Sequence, residues 1–475
     1  MSEDVQGNAP AHDRPVTLSA QTLLRDRKFA PFFWVQFTGA LNDNIFKVGF
    51  TSVVTYQAVL FGVADARNAA FLIAAIFVLP FLLFSATAGQ LADKYDKAVL
   101  MQAVKTLEIG IMVLASAGFL MHSAHILYVS VFLMGLHSTI FGPAKYAYLP
   151  DHLEPGSLLK ANGIVEMGTF ASILLGTMIG GTLASQEGGG GVPVAVLCLS
   201  CALTGRVVAA WIPSRVAAAP ALTINWNPFT ETWRNLVLAA ADRTILVGLI
   251  GISWLWFIGA IFLTSFFSFA RDVLLAGPNV VTLLLGVFTV GIGLGSLLCG
   301  RVSTTKRGLG LVPLGGLGMT IFAVDLYLGS RGLANTAHPL APNALYSISS
   351  FLSAAQHWQH WRLLIDLFLL ALSGGLYSVP LYAMIQSQSV ATHRARIIAA
   401  NNIFNALFMV GASVLAMALG ALGASIPMLY LLVGLLNALV VMGLCWRAPD
   451  IARQSFGLLR EWAGQKSKGS GQRVR

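Results

Sequence analysis

The stretch FWVQFTGALNDNIFKVGFTSVVTY, residues 33 to 56, decides how the rest of the chain is read. Coiled as a helix it reaches about 36 Å, enough to cross the hydrocarbon core of a bilayer. Its middle nevertheless holds Asn42, Asp43, Asn44 and Lys47. A charged side chain at bilayer depth costs about 2.5–3.5 kcal/mol on insertion scales, so such residues face a protein interior or a watery cavity. Asp43 and Lys47 stand at i and i+4, on one helical face. Either they neutralise each other and hold helices together, or they line a polar pathway, and the pathway is the favoured reading.

Working outward, composition bounds the class. The chain is 56% hydrophobic and 11% charged, whereas soluble domains carry about 25% charged residues. It reads as a polytopic membrane protein. The net charge of +10 is explained by basic loops on one side of a membrane, without nucleic acid as a partner. Cys198 and Cys201 form a lone C-x-x-C inside an apolar run and read as small packing residues, with no metal or other cofactor implied.

Apolar runs recur at about 30–60, 69–92, 98–121, 124–149, 158–184 and 192–212, and again at about 244–271, 278–300, 309–330, 363–389, 396–422 and 425–447. The expected fold is an all-α membrane protein of twelve transmembrane helices in two six-helix bundles. Residues 1–29 form a tail without the apolar core of a signal peptide, 30–212 the first bundle, 213–243 a linker, 244–447 the second bundle and 448–475 a basic tail. Lys and Arg gather in the loops that share the N-terminal tail's side, while Arg67, Arg271, Arg331 and Arg362 fall opposite; this places both termini and the linker in the cytoplasm.

Two connections read as interfacial. The linker carries Trp226, Phe229, Trp233 and Arg234, suited to a membrane surface. The long outer connection carries Trp358 and Trp361; His357 and His360 stand at i and i+3, but no Cys or carboxylate is near enough in sequence to complete a metal site. From Ile451 to Trp462 apolar and basic residues alternate as in a short amphipathic surface helix, and the residues beyond are expected to be disordered.

Between the second and third spans stands GQLADKYDK, residues 89–97. It resembles the signature loop of the major facilitator superfamily, with Asp96 where that family usually has Gly. Gly89 permits close helix approach, Asp93 can cap a helix end in the other half, and Lys94 can pair with acidic or headgroup partners. The three are candidate gate residues. FTGALNDNIFK (37–47), FGPAKYAYLP (141–150), KANGIVEMGTFASILLGTMIGG (160–181), GSLLCGR (295–301), VPLYAMIQ (379–386) and RARIIAANNIFNALFMV (394–410) together resemble the bacterial lysophospholipid transporter family.

The resemblance implies the major facilitator fold and the flipping of lysophospholipids across the bacterial inner membrane, by alternating access, for reacylation on the cytoplasmic side. Its partners would be the lysophospholipid substrate, membrane lipids and a cytoplasmic acyltransferase, and the carrier itself a monomer. Some relatives resemble fusions to an acyltransferase, but no His here is followed by Asp at the fifth position, so no enzyme is expected. Two other functions fit the residues: a proton-coupled exporter of drugs or small metabolites, and a non-transporting membrane scaffold for an acyltransferase.

A phosphate seeks cations and amide donors, and an amine headgroup seeks carboxylates or aromatic faces. The candidate polar pathway is therefore Asn42, Asp43, Asn44, Lys47, Lys145, Asn162, Glu166, Tyr382, Gln386, Asn401, Asn402 and Asn405. The asparagine trio near 401 serves equally as interhelical hydrogen-bond glue, and Glu166 as a partner for Lys145 or a proton acceptor. Lys105 with Glu108, and Asp366 with Arg362, read as structural pairs, and Asp325 as a weaker candidate. The glycines of GTMIGG (176–181), GIGLGS (291–296) and Gly374–Gly375 are expected to permit the close packing that rocking bundles need.

Overall fold

The computed structural model describes residues 20–63, 66–184, 191–302, 308–336, 345–353 and 358–470. The helices are α1 (Ala20–Leu23), α2 (Ala30–Tyr56), α3 (Ala66–Lys94), α4 (Lys97–Leu120), α5 (Ala124–His152), α6 (Leu158–Ala184), α7 (Gly191–Ala209), α8 (Pro228–Ala241), α9 (Arg243–Ser268), α10 (Pro278–Val302), α11 (Leu311–Thr336), α12 (Ile348–Ser353), α13 (Trp358–Gln388), α14 (Arg394–Ala421), α15 (Ile426–Arg447) and α16 (Pro449–Ser470). Among the described residues eleven helices are long and apolar enough to cross a membrane. The twelfth long helix of the fold is α2, whose polar middle makes it less apolar than its neighbours. The first half is α2 to α7; the second is α9, α10, α11, α13, α14 and α15.

Helix starts follow local chemistry. Asp96 accepts from Ala98 N and so caps α4, which explains an acid where the signature loop has Gly. Asn227 caps α8, Asp242 caps α9 and Ser425 caps α15, each with a side-chain oxygen on the first free backbone N–H groups. Pro143 and Pro150 lie inside α5, which runs through both without a break; each removes one backbone donor from the ladder.

Glycines set how closely the helices approach. A side chain on Gly176 would strike Leu41 O of α2 at 2.8 Å, and one on Gly180 would strike Ile45 O at 2.6 Å. Gly291 and Gly295 lie against the α13 backbone, and Gly375 against that of α10. These glycines therefore permit close packing of helices within each half, apart from the interface between the halves. At that interface Gly163 lies on the backbone of Ser296, Gly300 on Lys160, and Gly89 on Ala399 and Arg396. Close backbone contact of this kind maximises dispersion where lipid leaves no hydrophobic drive between helices.

The halves meet at the end where α3 gives way to α4 and α13 to α14, called here the near end. Asp151 joins Lys97 (2.7 Å) to Arg394 (2.8 Å) there. The helix α8, between the halves, packs on α3 and α14, and Gln90 of α3 exchanges two hydrogen bonds with the Asn225 backbone (3.0 and 2.8 Å). Its other face leaves Phe229, Trp233 and, just before it, Trp226 exposed. At the far end Arg362 bonds Asp325 and lies 4.0 Å from Asp366, so Asp325 is its main partner rather than Asp366. Trp358 and Trp361 are exposed, and buried His360 stacks on Phe351; His357 lies outside the described residues. The terminal helix continues to Ser470, past the point where disorder is expected, and seats Ile451, Ser455 and Leu458 inward.

Candidate functional site

A cavity of about 400 Å³ lies between the halves above the near end. Its first-half wall carries the charged groups, with Asp43, Asn44 and Lys47 from α2, His137, Ser138 and Lys145 from α5 and Thr169 from α6, set among the apolar Val35, Phe77, Phe81, Phe141 and Ile173. The second half contributes Trp256, Tyr382, Asn402, Asn405, Ala406 and Met409. Lys47 lies about one helical turn beyond both Asn44 (i+3) and Asp43 (i+4), and all three reach the cavity from α2.

Each charge on that wall has a distinct setting. Asp43 accepts from Ser138 Oγ at 2.6 Å through Oδ2, while its Oδ1 is buried without a hydrogen-bond partner. The Lys47 ammonium sits over the Phe77 ring, 4.1 Å from its centroid. Among the described residues no ion pair within 4 Å joins Asp43 to Lys47, so the mutual neutralisation that their spacing allows is not made: a hydroxyl and a ring stand in for it. Lys145 donates to Thr169 Oγ1 at 3.0 Å and lies 4.9 Å from the Tyr146 ring centroid. Glu166 accepts instead from the Tyr146 hydroxyl at 2.6 Å.

Five of the expected pathway residues fall outside the cavity wall. Asn42 is buried and donates to Glu108 Oε1 at 2.7 Å. Asn162 and Gln386 exchange two hydrogen bonds, 2.6 and 3.0 Å, across the two halves. Glu166 lines a smaller apolar cavity of about 60 Å³ that shares Trp256, Tyr382 and Met409 with the main one. Asn401 is buried away from the cavity, whereas Asn402 and Asn405 reach it, and Asn405 also accepts from Ser253 at 2.7 Å. Asn405 is thus both lining and interhelical glue and Asn402 is lining, while the Oδ1 of buried Asn401 has no hydrogen-bond partner among the described residues.

The candidate gate is built at the near end. Asp93, fully buried at the end of α3, accepts from Ala395 N (3.0 Å), Arg396 N (3.3 Å) and Arg396 Nε (3.2 Å). It therefore caps the start of α14 in the other half, where a helix dipole favours a carboxylate. Gly89, one turn earlier, leaves room for Ala399 and Arg396 to close on α3. Lys94 lies 5.9 Å from the Tyr95 ring centroid and takes no part in that cap. The floor between gate and cavity is Tyr146 stacked on Tyr382, with centroids 4.6 Å apart.

Sequence reading missed several lining groups. Gln36 accepts from Thr169 at 3.2 Å, and Trp256 donates to the Tyr382 hydroxyl at 3.3 Å. His137 and Ser138 escaped because a single histidine and serine in an apolar run resemble ordinary satisfied core residues. Their signal was position: they precede Gly142 and Lys145 by about one and two turns on α5. Lys105 lines the cavity too, but it is spent on Glu108 at 2.6 Å, as its spacing suggests.

Among the described residues, a bundle of twelve long helices around a central cavity with charged groups on one wall, closed by an acid-capped helix at one end, is the architecture of a membrane transporter. The major facilitator superfamily model matches residues 9–336, and the chain belongs to that superfamily, whose members transport solutes rather than catalyse reactions. It is similar to the lysophospholipid transporter LplT of Serratia proteamaculans, 26% identical over 66% of this chain and 76% of the relative. To the Klebsiella pneumoniae and Enterobacter proteins of that name it is 29% and 27% identical, over 53% and 67% of this chain and 62% and 71% of theirs. In fold it resembles the human organic anion transporter MFSD10 (TM-score 0.64, 11% identity, 87% of this chain and 99% of that one). The Escherichia coli fucose:proton symporter gives a TM-score of 0.62 at 11% identity, over 89% and 100%.

Proposed function

We propose that this chain flips lysophospholipids across the bacterial inner membrane by alternating access, delivering them for reacylation by an acyltransferase on the cytoplasmic side. The observation that carries the reading is the asymmetry of the cavity: one carboxylate and three ammonium groups, that of Lys105 being paired with Glu108, line the first half, and uncharged, mostly apolar and aromatic side chains line the second. An amphiphile with a charged headgroup and one acyl chain matches that asymmetry, and the named similarity to lysophospholipid transporters points the same way. Lys145 receives the phosphate, and the bare oxygen of Asp43 receives an amine or hydroxyl of the headgroup.

Residues 30–212 and 244–447 are the two rocking bodies, and 213–243 the connection that lies on the surface between them. The near end is cytoplasmic, so the closed gate at Asp93 belongs to the outward-facing state. The test is purified protein in liposomes with a fluorescent lysophospholipid, reading how much becomes protected from extraction on the inner leaflet. Protection matching that of protein-free liposomes rejects the reading.

A further inference from the structure

The smaller cavity, of about 60 Å³, is a side pocket of the main one: the two share Trp256, Tyr382 and Met409, which form its doorway. Beyond them it is walled by α9, α10, α11 and α13 of the second half, with Leu255, Gly259, Phe288, Ile292, Met319 and Leu370. Its one charged lining residue, Glu166 of α6, is engaged by the Tyr146 hydroxyl at 2.6 Å. Protein interiors are close-packed, and a void lined by apolar groups stays dry. Apolar space left open beside a binding cavity is therefore room for part of the cargo.

Two glycines keep that room. A Cβ on Gly259 would meet nothing within 4 Å, while one on Gly374 would approach Leu255 Cδ1 to 3.2 Å and Met319 Sδ to 3.7 Å. The doorway also adjoins the headgroup site: Lys145 lies 4.9 Å from the Tyr146 ring centroid, and Tyr146 stacks on Tyr382, whose hydroxyl accepts from Trp256. At about 10–15 Å³ for each water-sized group, 60 Å³ holds roughly four to six groups the size of a methylene. We propose that this pocket takes the methyl end of a single acyl chain whose phosphate stands at Lys145, and that Gly259 sets the chain length the carrier accepts. The chain comes from a bilayer as apolar as the pocket, so burial supplies no net drive and selection is by steric fit.

Length selection in transport rests on the lysolipid reading; that the pocket admits an apolar chain does not. Gly259→Leu fills the space from α9, and Met319→Ala enlarges it from α11. In liposomes, flipping of stearoyl lysophosphatidylethanolamine relative to the myristoyl form should fall about tenfold in Gly259→Leu, the discrimination that a small misfit in an apolar pocket gives. In Met319→Ala the ratio should move the other way. A lysophosphatidylethanolamine with a diazirine near its methyl end, irradiated with the protein in lipid nanodiscs, should label Leu255, Ile292 or Met319 in the parent and lose that label in Gly259→Leu. Should Gly259→Leu fail to fold, Met319→Ala and the labelling of the parent decide. Label confined to exposed side chains of α14 such as Leu407, Val410 and Val414 overturns the pocket, because the chain then stays in the bilayer. A stearoyl-to-myristoyl ratio unchanged in the folded variants overturns length selection there. Absence of flipping of either lipid by the wild type rejects the lysolipid reading and leaves the labelling to decide the pocket.

Discussion

Tyr146 and Tyr382 lie ring on ring, 4.6 Å apart and within 6° of parallel, one from each half of the molecule. Each ring is held by its own half: Tyr146 donates to Glu166, and Tyr382 accepts from Trp256. The stack is thus a contact that opening of the near end must separate, and an aromatic pair contributes about 0.5–1.5 kcal/mol beyond burial. Tyr382→Ala should raise the population open at the near end by about two- to tenfold. A cysteine replacing Ala395, which is fully buried at the gate, reports this as faster thiol labelling. Tyr382→Phe keeps the stack and should label like the parent; equal labelling of the alanine variant removes the stack as a floor.

Among the described residues Asp43 is the one carboxylate lining the cavity, and its single hydrogen-bond partner there is Ser138. Asp43→Asn keeps the volume and removes the charge. It should lower lysolipid flipping by at least tenfold, a charged hydrogen bond being worth about 1.5–3 kcal/mol, with little change in thermal melting. Ser138→Ala, which only frees the carboxylate, should cost less. Flipping near wild type in Asp43→Asn discards Asp43 as the headgroup contact.

At the gate, Asp93→Ala strips three hydrogen bonds from the start of α14 and leaves that helix end uncapped. The outward/inward balance should move toward the state open at the near end, while lysolipid affinity measured in a trapped state stays unchanged. Asp93→Asn should fall between, since an amide oxygen still accepts from the backbone. Labelling at Ala395→Cys separates the variants; an unmoved balance with weakened affinity would contradict a gating role.

The twelve-helix fold was legible because each span is an apolar run bounded by caps, Pro or charge, which is local information. So were the cap by Asp93 and the pairing of Lys105 with Glu108, each carried by a motif or by i, i+3 spacing. What spacing left open was which of several partners a polar group takes. Asp43 and Lys47 share a helical face, yet Ser138 and Phe77, on two other helices, hold them. Asn162 meets Gln386 from the other half, a contact between residues far apart in the chain. Such pairings depend on helix rotation and crossing, which the period of apolar residues constrains only to within a face.

Lys145 tests the headgroup assignment most directly. It donates to Thr169, and the carboxylate that could have neutralised it, Glu166, is engaged by Tyr146. A lysine held by a hydroxyl keeps ammonium hydrogens for a phosphate, as a point charge. Lys145→Met should abolish flipping, and Lys145→Arg should retain part of it. If Lys145 only offsets Glu166, the double change Lys145→Met with Glu166→Gln would restore transport, because no uncompensated buried charge would remain. With the phosphate as its partner, the double variant stays inactive, and Glu166→Gln alone should weaken the Tyr146 hydrogen bond by about 1 kcal/mol without abolishing flipping. Rescue by the double variant would reassign Lys145 to a structural pair and leave the phosphate without its cation.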